Sequence, residues 1–191
     1  MRRISFFALR TSIEGGRINL SLRAYTITGD EAMQKKRKGV WPLIISVLIP
    51  LAVGGVSAVL TRDGMKLFKL MNKPPLTPPD WVFPVVWSVL YVLMGLAAYW
   101  VYSSGASEVR RVRALTVYAV QLGMNFFWSI IFFALEMYLT AFVWLAGMWA
   151  LIAVCMVLFY HIDNRAGLAI VPYLIWTTLA GYLNMGVFLL N

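Results

Sequence analysis

The residues of this chain that could do chemistry are aromatic and amide side chains set at helical spacing. Trp87, Tyr91, Gly95 and Ala98 follow one another at intervals of three and four, so on a helix they share a stripe. Gln121, Asn125, Trp128 and Phe132 do the same, as do Tyr173, Trp176, Thr177, Ala180 and Asn184. An amide in an apolar setting must find a hydrogen-bond partner, because its desolvation is otherwise uncompensated. Two arrangements satisfy that demand. The amides and phenols can bond between helices as structural glue. They can also line a hollow together with the indoles, which would suit a flat, aromatic, mostly apolar ligand held by stacking and oriented by a few polar groups. Spacing does not choose between them.

Other chemistry is poorly served. Cys155 lies within an apolar run and is the chain's single cysteine, which excludes a disulfide framework or zinc site and points to packing. His161, the single histidine, falls at an expected helix end, where capping is the simpler role. No phosphate loop, metal cluster or Ser-His-Asp set is visible. A conventional hydrolase is therefore disfavoured.

The elements that must position these stripes are transmembrane helices. Hydrophobic residues make up 61% of the 191, and 13% are charged. The mean hydropathy is +0.75. Five runs (40–60, 81–102, 114–135, 139–160 and 168–190) carry no Asp, Glu, Lys or Arg. Each approaches or exceeds the roughly 20 residues a helix needs to cross about 30 Å of hydrocarbon. Barrel strands are half as long and alternate in polarity, so helices are expected. The fold class is all-α, an integral membrane bundle of five transmembrane helices. Absence of charge within the runs argues against a proton-coupled pump or voltage sensor. Five spans without an internal repeat also do not match the inverted halves of many transporters.

The formal net charge of +9 is not read as nucleic-acid binding, because nine of the 17 basic residues lie in residues 1–38 and the others flank apolar runs. With the N-terminus on one side, basic residues divide 13 to 4 between the two faces, and 8 to 4 without the five arginines of residues 1–32. The excess places the N-terminus in the cytoplasm. Residues 1–39 read as a poorly ordered N-terminal extension, with an alternative start at Met33; a transit peptide is the rival reading. Residues 40–191 form the membrane domain.

Between the first two spans, Lys73 to Asp80 reads KPPLTPPD. Proline fixes φ and blocks helix, so this segment is expected to be a stiff lid over the helix ends. Thr77 is expected to cap the second span, with Pro78 at its first position. Gly54 with Ala58, and Gly147 with Ala146 and Ala150, would allow helices to approach closely.

Three segments, KPPLTPPDWVFPVVWSVLY (73–91), QLGMNFFWSIIFF (121–133) and PYLIWTTLAGYLN (172–184), together resemble the TspO family of translocator proteins, also called peripheral-type benzodiazepine receptors. They occur in the family's order, and the resemblance covers about residues 41–191. It implies a five-helix bundle with a cavity opening near the first loop, binding of porphyrins such as protoporphyrin IX, and a homodimer. In animal members it also implies cholesterol and synthetic isoquinoline or benzodiazepine ligands. Some bacterial members are implied to degrade protoporphyrin in light through two cavity tryptophans, which match Trp87 and Trp176. Tyr91, Asn125, Trp128, Tyr173, Ala180, Asn184, Pro78 and Pro79 complete the expected binding set. No cofactor is expected; the porphyrin would be ligand or substrate. Departures are Leu76 in place of the family's lid tryptophan, Trp144 in place of an acidic residue, and no Tyr-then-Arg cholesterol motif at the C-terminal end, so cholesterol is not an expected partner. The expected location is a bacterial cell membrane, with the mitochondrial outer membrane as the alternative. A passive transporter or sensory scaffold is the remaining functional alternative.

Overall fold

The computed structural model describes residues 39–191, and the expectations for residues 1–38 fall outside that range. The described chain is helical throughout, with no strand among the described residues. Five helices are long and apolar enough to cross a membrane. They are α1 (Val40–Leu60), α3 (Val82–Ser103), α4 (Glu108–Ser129), α5 (Tyr138–Tyr160) and α6 (Asn164–Leu190). A short helix, α2 (Arg62–Leu70), lies between the first two. This is an integral, multi-pass membrane protein.

The outside of the bundle is as apolar as its inside, as lipid requires. Ile45, Val59, Val85, Val143, Ile175 and Leu189 are all exposed. Trp41 opens α1 at one end, while Trp81 precedes α3 at the other, each with its ring largely uncovered. That is where indoles anchor a bundle at the two lipid–water boundaries. Trp100, at the same end as Trp41, carries the Arg165 guanidinium 5.5 Å above its ring.

Around the bundle the neighbour order is α1, α3, α6, α5, α4 and back to α1. Short connections make sequential spans antiparallel. The end that carries α2 therefore also carries the α4–α5 turn and the end of α6. The α3–α4 loop and the α5–α6 turn lie at the opposite end. Asp163 closes that turn: its carboxylate accepts from the Arg165 backbone N–H at 2.9 Å and from the Arg165 guanidinium at 3.1 Å, capping α6. His161 is the C-terminal cap of α5, its N–H reaching Val157 O at 3.1 Å. Cys155 is buried in the core.

Four expectations are corrected here. Thr77 does not cap the second span: its hydroxyl turns back to Pro74 O at 2.6 Å, and α3 starts at Val82 after a turn in which Val82 N–H bonds Pro79 O at 2.9 Å. The third span begins at Glu108, six residues before 114, because Arg110, Arg111 and Arg113 continue the helix into the polar boundary. The loop at 61–80 contains α2, which hydropathy alone reads as connection. Gly54 makes the close approach expected of it, with the Tyr91 ring occupying the space a Cβ would need. Gly147 does not, since a Cβ there would meet only Met124 Cε at 3.7 Å.

Candidate functional site: an aromatic cavity beneath the first loop

The cavity is built on a hydrogen-bonded strut in the middle of the bundle. Tyr91 on α3 donates its hydroxyl proton to Asn125 Oδ1 on α4 at 2.8 Å, and Asn125 Nδ2 donates to the Tyr173 hydroxyl on α6 at 3.1 Å. Tyr173 and Asn125 are buried almost completely. Three helices are thus tied by an amide that, among apolar neighbours, has two satisfied partners. The Trp87 indole rests on this strut, stacked on Tyr91 at 5.5 Å and edge-on to Tyr173 at 6.1 Å.

A second tie forms one wall. Trp128 Nε1–H donates to Asn184 Oδ1 at 3.2 Å, and Asn184 Nδ2 donates to the Tyr138 carbonyl at 2.7 Å. Trp128 stacks on Phe132 at 5.4 Å and lies 6.5 Å from Trp87. Phe132 and Phe133 sit in a π-helical turn, Ile130–Ala134, that ends α4. The wider turn carries one more residue than an α-helical turn would; such insertions often accompany functional sites. Phe83 bridges to Trp176 at 5.8 Å.

The hollow between these groups has a volume of about 450 Å³, inside the range of small-molecule sites. Of the expected residues, Trp87, Tyr91, Trp128, Trp176, Ala180 and Asn184 line it. Asn125 and Tyr173 do not: they stand behind the wall as the strut that holds Tyr91 and Trp87. Pro78 and Pro79 do not line it either; the part of the first loop that covers the cavity is α2, with Arg62, Met65, Lys66, Phe68 and Lys69. The proline segment braces that cover. Lys73 bonds Asp80 at 3.1 Å, and Tyr182 donates to Pro75 O at 2.9 Å. Asn72 and Asn191 exchange two hydrogen bonds of 3.0 Å, clasping the loop to the end of α6. Leu76 holds a positive φ of 63° and projects into solvent. Trp144 turns its indole N–H to Met124 O at 2.9 Å on α4.

Sequence reading missed α2, Phe83 and Phe133. The signal was present for α2: Met65 and Phe68 at a spacing of three, interleaved with Arg62, Lys66 and Lys69. Phe68 packs edge-on against Phe83, Phe132 and Phe133 at 5.7–6.3 Å. Where α2 crosses the π-helical turn, Gly64 lies so close to the Phe133 carbonyl that no Cβ could fit.

Neither a charged catalytic group nor a metal-ligand cluster occupies the floor; the arrangement can stack on, orient and cover an apolar aromatic guest. Fold and cavity together define a five-helix membrane protein with an aromatic hollow beneath its first loop. The sequence pattern of the TspO/MBR family matches residues 46–190, and the chain belongs to that family. It is 40% identical over 140 residues to protein CrtK of Rhodobacter capsulatus, covering 73% of this chain and 87% of the relative. It is 35% identical over 150 residues to the tryptophan-rich protein TspO of Archaeoglobus fulgidus, with coverage of 78% and 96%. With the translocator protein of Bos taurus it shares 30% identity over 145 residues, with coverage of 75% and 86%.

Proposed function

We propose that this protein binds a porphyrin-class tetrapyrrole in the aromatic cavity, in tetrapyrrole handling or a stress response. The observation that supports this most is the placement of Trp87, Trp128 and Trp176 around one covered hollow, with Trp87 fixed by the Tyr91–Asn125–Tyr173 strut. A macrocycle gains from stacking on indole faces and from leaving lipid-incompatible edges near the polar cover. Each stacking tryptophan is worth roughly 1–3 kcal/mol, by analogy with nucleobase stacking. Titration of the purified protein with protoporphyrin IX in darkness tests it. The Trp87→Phe, Trp176→Phe double variant should bind at least about tenfold more weakly. Unchanged affinity and unchanged fluorescence quenching would refute the reading.

A second reading is light-driven oxidative breakdown of the bound porphyrin. It draws support from Trp87 and Trp176, which both line the hollow: indole can give an electron to the photo-excited porphyrin, dissolved dioxygen would be the terminal oxidant, and such chemistry needs no acid–base group. Under illumination the bound porphyrin absorbance should then fall faster than that of free porphyrin in detergent, and both tryptophan changes should slow it. Equal rates would remove the enzymatic reading.

A further inference from the structure

The cover over the cavity is cationic, and its charges are unevenly paired. Arg62, Lys66 and Lys69 lie at positions i, i+4 and i+7 of α2, on one helix face, and all three line the cavity mouth. Asp63 is engaged by Lys66 at 2.7 Å, and Asp80 by Lys73 at 3.1 Å. Arg62 and Lys69 are left with only the long, second-best contacts to the same two carboxylates, both at 3.9 Å. Glu136, at the same end of the bundle, does not line the cavity and makes no ion pair among the described residues. The mouth therefore carries two cations in excess. At 1.5 Å rise per residue they stand about 10 Å apart along the helix.

Below the mouth, the cavity wall carries no further charge. Every charged lining residue (Arg62, Lys66, Lys69 and Asp80) belongs to the rim, and the remaining polar groups are neutral hydroxyls, indole N–H groups and the Asn184 amide. A carboxylate driven to the floor would lose its hydration without a counter-ion, which is costly in a low-dielectric interior. At the rim it would meet Arg62 or Lys69.

We propose that Arg62 and Lys69 form a two-point anion clamp that selects flat apolar ligands bearing two carboxylates on one edge, and fixes their orientation with that edge toward α2. The proposal rests on the porphyrin reading of the same cavity and adds the ligand's charge requirement. Neutral analogues of the same shape would keep the stacking and lose the clamp. The excess charge would also steer dianions to the mouth, so their binding should weaken with salt.

The test compares protoporphyrin IX with its dimethyl ester, titrated against the full-length protein in neutral detergent. The free acid should bind at least about tenfold more tightly than the ester at low salt, and its advantage should shrink in about 0.5 M salt. The Arg62→Gln, Lys69→Gln double variant should lose roughly tenfold for the acid and change less than about twofold for the ester. Retained ester binding shows that the variant is folded. The Arg62→Lys, Lys69→Arg exchange should keep acid binding. Equal wild-type affinity for acid and ester, or equal losses for both in the double variant, would overturn the clamp while leaving the porphyrin reading intact. Failure of the wild type to bind either compound would overturn both.

Discussion

Trp87 stacks on Tyr91 with their ring centroids 5.5 Å apart, and the same Tyr91 is pinned by its hydroxyl to Asn125. An indole at the cavity wall thus owes its position to an amide that never meets the cavity. The expected consequences separate residues that touch a ligand from residues that hold the touching ones in place.

Asn125→Ala should destabilise the protein by about 1–3 kcal/mol, because two buried phenol hydroxyls lose their partner at once. Tyr91→Phe should cost less, since Asn125 keeps Tyr173. Thermal unfolding in detergent measures both. A smaller loss in Asn125→Ala than in Tyr91→Phe would mean that the strut does not carry the load assigned to it.

Gly64→Ala should lift α2 from the π-helical turn of α4, since the Phe133 backbone carbonyl cannot yield as a side-chain tip could. Overpacking of this kind costs about 1–3 kcal/mol. The displaced helix should be cut faster by trypsin at Lys66 and Lys69. Wild-type cleavage rates in Gly64→Ala would show that the contact is not maintained.

Asp163→Ala should remove about 1 kcal/mol through loss of the α6 cap. Hydrogen bonds from Arg165 are the chief cause holding the Asp163 carboxyl below its ordinary 3.8. A depressed carboxyl stabilises the fold fully above its unfolded value and ceases to do so as pH falls through the folded one. The wild-type advantage over Asp163→Ala should therefore be constant above about pH 5 and should shrink below 3.8. Midpoints from melts at pH 7, 5 and 3 check the sign; an advantage that grows on acidification would contradict it.

The excess of Lys and Arg on the N-terminal side predicts that α2 and the α4–α5 turn face away from the cytoplasm. Buried Cys155 should react slowly, so single cysteines can report the topology. In intact cells a membrane-impermeant maleimide should label Glu136→Cys and leave Ser107→Cys unlabelled. The reverse pattern would invert the orientation.

The five spans were legible because a lipid-facing helix must be apolar along its whole length, and 40–60 and 139–160 show this without interruption. Their polar ends were less legible. Residues 108–113 extend α4 although their charges look like a loop, since a helix that leaves hydrocarbon needs no apolar residue to continue. Helix α2 was concealed the same way: its cavity-facing apolar residues are Met65 and Phe68 alone, too short a signal against Arg62, Lys66 and Lys69. Within the site, the stripe carrying Trp87 and Tyr91 could be read from spacing. That Asn125 would turn to Tyr91 and Tyr173 could not, because its partners are 34 and 48 residues away and only the packing order of the helices brings them together. Pro78 and Pro79 were expected at the cavity because rigid residues suit a lid. They instead lead into α3, Pro79 O accepting from Val82 N–H at 2.9 Å, while the loop residues that cover the hollow belong to α2.

The most direct test is an experimental structure of the protein with protoporphyrin IX bound. The macrocycle should lie beneath α2, against the faces of Trp87 and Trp176, with Tyr91, Asn125 and Tyr173 still joined behind it. A porphyrin found on the lipid-facing exterior, with the hollow filled by rearranged side chains, would contradict the account.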